Sequence, residues 1–259
     1  MDGTIHVHRV RDRAVSIYVP PDYDAGSDTY PVAYVQDGDE LFAPGKGDSL
    51  TVLEAMFGSG ELEPLLLVGV EPKERLNEYT PWPARALVEE FADFGGQGAG
   101  YIDFLEDELK PFVDKHYRTK PCRADTGIIG ASLGGLVSMY AAYTRPDLFG
   151  GIGSLSGSYW YEGFVGYMRH NPLGRQDLRI YMYVGGAEGA NKTTLQKDMI
   201  ARTKEAHGLL LEQGLGRRLA PLTIEDGAGH EWSCFIKRFP EALRWMFAHK
   251  DDVEENSRP

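Results

Sequence analysis

Five residues in the middle of the chain, Gly130-Ala131-Ser132-Leu133-Gly134, form a G-x-S-x-G motif. An apolar run, Thr126-Gly127-Ile128-Ile129, enters it, and an amphipathic run from Leu136 to Ala142 leaves it. A serine on a sharp strand-to-helix turn is pushed outward, in a strained backbone that demands small neighbours. Gly130 and Gly134 supply that smallness, and Gly134 also lets the helix sit close against the strand. A serine hydroxyl is a weak nucleophile until a base and an oxyanion site are arranged around it. The rest of the chain must therefore supply a histidine, an acid and two free amides.

A serine hydrolase on this layout takes its residues in the order nucleophile, acid, histidine. Seven histidines compete for the base. His6, His8 and His116 precede the serine, and His170 precedes the next two strands. His207 falls within a helical pattern, and His249 ends the last helix. His230 alone follows the final strand, in the loop Asp226-Gly227-Ala228-Gly229-His230, where an imidazole can swing over the serine. The strand before it runs into Gly185-Gly186-Ala187-Glu188, and Glu188 is the first carboxylate there. Its role would be to hold the second imidazole nitrogen and stabilise the imidazolium. Asp198, in a helical segment, and Asp226, after the wrong strand, are the rivals. The oxyanion needs two backbone N–H donors. Leu133, directly after the nucleophile, gives one. The loop Gln36-Asp37-Gly38-Asp39 gives the other, with Asp39 the expected donor and Gly38 its rival.

The elements that must position these residues alternate between strand-like and helix-like, which predicts an α/β layered fold. Strands are expected over 14–19, 31–35, 65–70, 126–129, 152–155, 180–184 and 219–225. The run 65–70 is continuously apolar, as in a strand buried on both faces. Asp48 should cap one helix. Another begins at Tyr101, with apolar positions 101, 105, 109 and 112 at helical spacing. Pro111 should kink or divide it. The helix after Ser132 stops at Arg145-Pro146, and two more span 194–215 and 235–248. Residues 71–100, rich in Pro, Trp and Gly, form a loop of a length that is usually functional or mobile.

Of the 259 residues, 42% are hydrophobic, enough for one large core. No apolar run approaches the ~18 residues of a bilayer span, so no membrane association is expected. The net charge of −12 argues against nucleic acid as a partner. Cys122 and Cys234 read as free thiols in a reducing cytoplasm. The first six residues lack a basic and apolar leader, so a cytoplasmic location is expected. His6 and His8 share one strand face but have no third ligand, so no metal is expected. Cys234 lies close to His230 but starts the last helix, and reads as structural. Gly95-Gly96-Gln97-Gly98 lacks the Lys-Ser/Thr pair of a phosphate loop. No cofactor is called for. The expected partner is a small-molecule ester, and a homodimer is left open.

Tyr18-Val19-Pro20-Pro21-Asp22-Tyr23 and Tyr30-Pro31-Val32-Ala33-Tyr34-Val35-Gln36-Asp37-Gly38 resemble the amino-terminal half of the esterase D-like branch of α/β hydrolases. Glu78-Tyr79-Thr80-Pro81-Trp82-Pro83, Glu108-Leu109-Lys110-Pro111-Phe112-Val113 and Gly229-His230-Glu231-Trp232 are more particular. With Arg238-Phe239-Pro240-Glu241-Ala242-Leu243 they are similar to the enterochelin esterase-like subgroup, which includes hydrolases of trilactone siderophores. The resemblance covers residues 14–248. It implies a mostly parallel sheet with helices on both faces, in one α/β-hydrolase domain over 1–250, followed by a charged and frayed tail at 251–259. It implies Ser132, Glu188 and His230 as a triad, with the Leu133 and Asp39 amides as the oxyanion hole. A large anionic aromatic substrate would want cations and flat side chains near the site. Lys73, Arg75 and Arg85, in the loop after the fourth strand, and Tyr159, Trp160 and Tyr161, after the strand following the nucleophile, are the candidates. The same broad family also holds feruloyl esterases and acyltransferases. The chain shows no counterpart to the extra amino-terminal domain of larger enterochelin esterases. The reading is thus a serine ester hydrolase acting on a catecholate trilactone or similar aromatic ester. Its rivals are a general carboxylesterase or feruloyl/acetyl esterase, an acyltransferase with the same triad, and a non-catalytic siderophore binder.

Overall fold

A computed structural model describes residues 2–248; the expected frayed tail lies outside the described residues. Eight strands form the main sheet: β1 (Thr4–Val10), β2 (Arg13–Val19), β3 (Val32–Gln36), β4 (Leu66–Val70), β5 (Thr126–Ala131), β6 (Gly151–Leu155), β7 (Arg179–Gly185) and β8 (Leu222–Glu225). Their order is β1-β2-β4-β3-β5-β6-β7-β8. The β1–β2 and β2–β4 pairs are antiparallel, and every other pair is parallel. β3 and β5 are neighbours whose chains leave in opposite directions, β3 toward β4 and β5 toward β6. Loops diverge at such a point, which leaves a crevice beyond the carboxyl ends of the strands.

The strands at the centre are buried along their whole length. They read as unbroken apolar runs because both faces are covered. The helices longer than one turn are α1 (Ser49–Ser59), α2 (Gly98–Phe104), α3 (Lys110–His116), α4 (Leu133–Thr144), α5 (Phe164–His170), α6 (Met199–Glu212) and α7 (Trp232–Phe247). On one face α1 and α7 pack Leu53, Phe239 and Leu243 against Val35, Leu67, Ile129 and Tyr183. On the other, α2 to α6 pack Ile102, Leu136 and Met199 against Tyr34, Val68, Ile128 and Met182. Adjacent residues such as Ile128 and Ile129 serve opposite layers, as strand geometry requires. No helix among the described residues is long and apolar enough to cross a membrane.

Local agreements with the sequence reading and differences from it have physical causes. The helix that begins at Gly98 is divided just ahead of Pro111, as expected, into α2 and α3. The five residues Leu105–Leu109 open into a wide turn ahead of it, and the Lys110 N–H reaches back to the Leu105 carbonyl. Pro111 then stands in the first turn of α3, where its missing N–H costs nothing. The helix expected from 194 begins at Met199, after a tight 3-10 turn over Leu195–Asp198. β8 is shorter than expected because Pro221 cannot donate to a ladder, although β7 still bonds to the Leu219 and Pro221 carbonyls at 2.6 and 3.1 Å. Asp48 stands at the start of α1, but its carboxylate makes no capping bond. The long 71–100 connection is pinned to the sheet. Glu78 accepts from Arg13 at 2.8 and 2.6 Å and from the Lys73 N–H at 2.9 Å, and both Arg13 and Glu78 are buried.

Candidate active site

Ser132 is the single residue between β5 and α4, with φ 57° and ψ −118°. A residue with a side chain rarely adopts this backbone, and it persists only where the surroundings over-determine it. Here the Ser132 N–H donates to the Leu155 carbonyl at 2.9 Å, and its carbonyl accepts from the Leu136 and Ser158 amides at 3.0 and 3.1 Å. Gly130 is required by close approach, and Gly134 is tightly confined. A Cβ at Gly130 would stand 2.7 Å from the Gly134 carbonyl carbon and from the Gln36 Cβ.

The three side chains expected to cooperate are brought together. The Ser132 Oγ lies 3.0 Å from His230 Nε2, and His230 Nδ1 lies 2.7 Å from Glu188 Oε2. The Glu188 side chain is 1% exposed and the His230 side chain 36%, so the acid is dry and the base is reachable. A carboxylate facing Nδ1 selects the tautomer with its proton there, leaving the Nε2 lone pair toward the serine. The other Glu188 oxygen, Oε1, accepts from the Gly185 N–H at 2.8 Å and from the Ser156 hydroxyl. The Ser158 hydroxyl lies 3.4 Å from the Ser132 Oγ. The ring of Phe235 meets His230 edge-on, 5.1 Å between centroids.

The rivals sit elsewhere. Asp226 is exposed, and Asp198 ends the turn before α6. His6 and His8 both bond the Tyr117 hydroxyl, at 3.0 and 2.6 Å. His116 and His170 bond carbonyls of their own helices, and His207 bonds the Ala220 carbonyl. His249 lies outside the described residues. Both cysteines are free, and Cys234 sits in the first turn of α7. Among the described residues no group of His, Cys, Asp and Glu could hold a metal ion.

Leu133 is the first residue of α4 and Asp39 the second of a one-turn helix, Gly38–Leu41, after β3. At these positions an amide has no acceptor within its own helix. Between the two turns lies a feature absent from the sequence reading. Arg75 donates from Nε to both Asp37 oxygens at 3.0 Å and from Nη2 to Asp37 Oδ2 at 2.7 Å. The same Nη2 reaches the Ala131 carbonyl at 3.3 Å. Burial pushes the Asp37 carboxyl above its usual range, with Arg75 pulling the other way. Arg75 is therefore a brace between the loop after β3 and the Ser132 turn, and no free cation for a substrate.

The expected pocket residues separate. Trp160 lines a cavity of about 240 Å³ beside Glu188 and His230, together with Lys192, Gln196 and Met199. Tyr159 does not face it: the side chain is 1% exposed, its hydroxyl donates to the Ser154 Oγ at 2.8 Å, and it packs behind the wall on Phe164. Arg85 is 90% exposed and pairs with Asp93 at 2.8 Å, away from this cavity. Lys192, Gln196 and Met199 were missed, although the chain just past Glu188 leaves the carboxyl end of β7, where ligands bind in such sheets.

The family model for esterases, described as "Putative esterase", matches residues 9–246. The chain is similar to "Uncharacterized protein YbbA" of Bacillus subtilis (strain 168), at 39% identity over 247 residues, 95% of this chain and 97% of that protein. It is also similar to "Ferri-bacillibactin esterase BesA" of the same organism, at 26% identity over 226 residues, 78% of this chain and 73% of BesA. Its fold is shared with an IroE-like serine hydrolase from Shewanella oneidensis, at a TM-score of 0.77 and 18% identity, over 93% of this chain and 79% of that one.

Proposed function

The chain belongs to the esterase family, and from that membership we propose that it hydrolyses carboxylic esters through an acyl-enzyme, with Ser132, His230 and Glu188 as its triad. The observation that carries this reading is the continuous relay from Ser132 Oγ through His230 to a buried Glu188, at 3.0 and 2.7 Å.

The Ser132 oxygen attacks the ester carbonyl as His230 Nε2 takes its proton. Glu188 stabilises the imidazolium that forms. The negative charge on the former carbonyl oxygen falls to the Leu133 and Asp39 amides. The intermediate collapses, and His230 returns its proton to the departing alcohol. A water then enters, loses a proton to Nε2 and attacks the acyl carbon, and Ser132 is released with its proton restored.

The proposed substrate is a catecholate trilactone siderophore or a similar aromatic ester. Its support is the similarity to the ferri-bacillibactin esterase BesA and a cavity whose Trp160 and Lys192 suit one flat, acidic arm of such a ligand. The experiment compares kcat/KM on a tricatecholate trilactone and on p-nitrophenyl butyrate, with Ser132→Ala as the blank. Trilactone turnover well above the simple ester, and lost in the alanine variant, is the expected result. Turnover of the simple ester alone would remove the siderophore substrate and leave a general esterase. Undiminished activity in Ser132→Ala would remove the serine mechanism itself.

A further inference from the structure

We propose that Ser156 is a positioning residue that fixes the Glu188 carboxylate for the relay; the proposal rests on the triad reading above. Ser156 follows β6 directly, and Glu188 stands three residues beyond β7. The two strands are parallel neighbours, so their carboxyl ends open side by side. The Ser156 hydroxyl donates to Glu188 Oε1, which also accepts the Gly185 N–H at 2.8 Å. Among the described residues Oε2 is thereby left to His230 alone. A glutamate has one more rotatable bond than an aspartate, and a carboxylate held at one oxygen only can swing about that point. Two donors on Oε1 stop the swing and keep Oε2 aimed at Nδ1.

The backbone of Ser156 argues that the hydroxyl is what matters. Its φ is 47°, in the left-handed region where glycine would be relaxed and a side chain is strained. Its N–H is tied to the Tyr183 carbonyl at 2.7 Å, and the residue is fully buried. A position that favours glycine yet carries serine is holding a side chain for a reason, and the partner of that side chain is the acid.

Two substitutions separate the hydroxyl from the strain. Ser156→Ala removes the hydroxyl and keeps the strained backbone, whereas Ser156→Gly removes both. Thermal melts establish that each variant is folded. Both are expected to lower kcat on p-nitrophenyl butyrate about 10- to 100-fold, the range for losing a hydrogen bond to a charged group, with KM changed less than about twofold. In a Glu188→Ala background, adding Ser156→Ala should change kcat less than about threefold, because the group it acts through is gone. Wild-type kcat in Ser156→Gly overturns the proposal. So does an equal loss in both backgrounds, which would mark a structural role. Wild-type activity in Glu188→Ala alone would instead overturn the triad reading, and this proposal with it.

Discussion

The acid of the proposed relay is a buried glutamate whose oxygens divide their work, one anchored by Gly185 and Ser156 and the other facing His230. Glu188→Gln keeps the volume and removes the charge that stabilises the imidazolium and sets its tautomer. It is expected to lower kcat by about 10³ to 10⁴, the scale for neutralising a triad acid, with the melt nearly unchanged. Steady-state kinetics on p-nitrophenyl butyrate check it; a loss under tenfold would exclude Glu188 from the relay. That Ser132, His230 and Glu188 would meet in space was legible in the sequence, because chain order and strand ends constrain them. Ser156 and Ser158 were not. A serine's role is set by what lies across the fold from it, and the sequence around these two is a plain Ser-Gly-Ser.

At the scale of elements, the strand run and the strand–serine–helix turn could be read because apolar runs and glycines mark them. The crevice depends on relations between loops, and these the sequence does not print. Arg75 illustrates this. Its position after the fourth strand suggested a substrate cation, whereas it braces Asp37 against the Ser132 turn. Arg75→Ala leaves the buried Asp37 carboxylate without its counter-charge. Losing one partner of such a pair costs about 3–5 kcal/mol, toward the lower end because the Arg75 side chain is 31% exposed. Because burial raises the Asp37 carboxyl, its protonated form favours the fold. That contribution is full below the unfolded value, about 3.9, and is lost as pH rises through the higher folded one. The penalty of Arg75→Ala should therefore be larger at pH 7 than at pH 4 in urea titrations. A penalty that does not vary with pH would show that Asp37 is not the group left stranded.

The whole molecule carries a net charge of −12, and its acid response will depend on which carboxylates are held by cations. Glu225, at the end of β8, is bound by Arg238 at 2.9 Å and Lys237 at 2.7 Å from α7. The bond from Arg238, joined by that from Lys237, holds its carboxyl down to about 2. A depressed carboxyl contributes stability above its unfolded value, about 4.3, and loses it as pH falls toward 2. Glu225→Gln should flatten that part of the stability profile and leave the slope above pH 5 unchanged; an unaltered slope between pH 4 and 2 would refute the assignment. Ser132 bears on the whole molecule in another way. At φ 57° and ψ −118° it occupies a conformation that suits glycine and no residue with a Cβ. Ser132→Gly should therefore melt at a higher temperature than both the parent and Ser132→Ala, which keeps the strain, while being catalytically dead. An inert sibling one codon change away would then be the sturdier protein. In a lineage released from the need for its reaction, drift would favour that sibling, and a glycine at this turn would be the mark that the chemistry had been abandoned while the scaffold was kept.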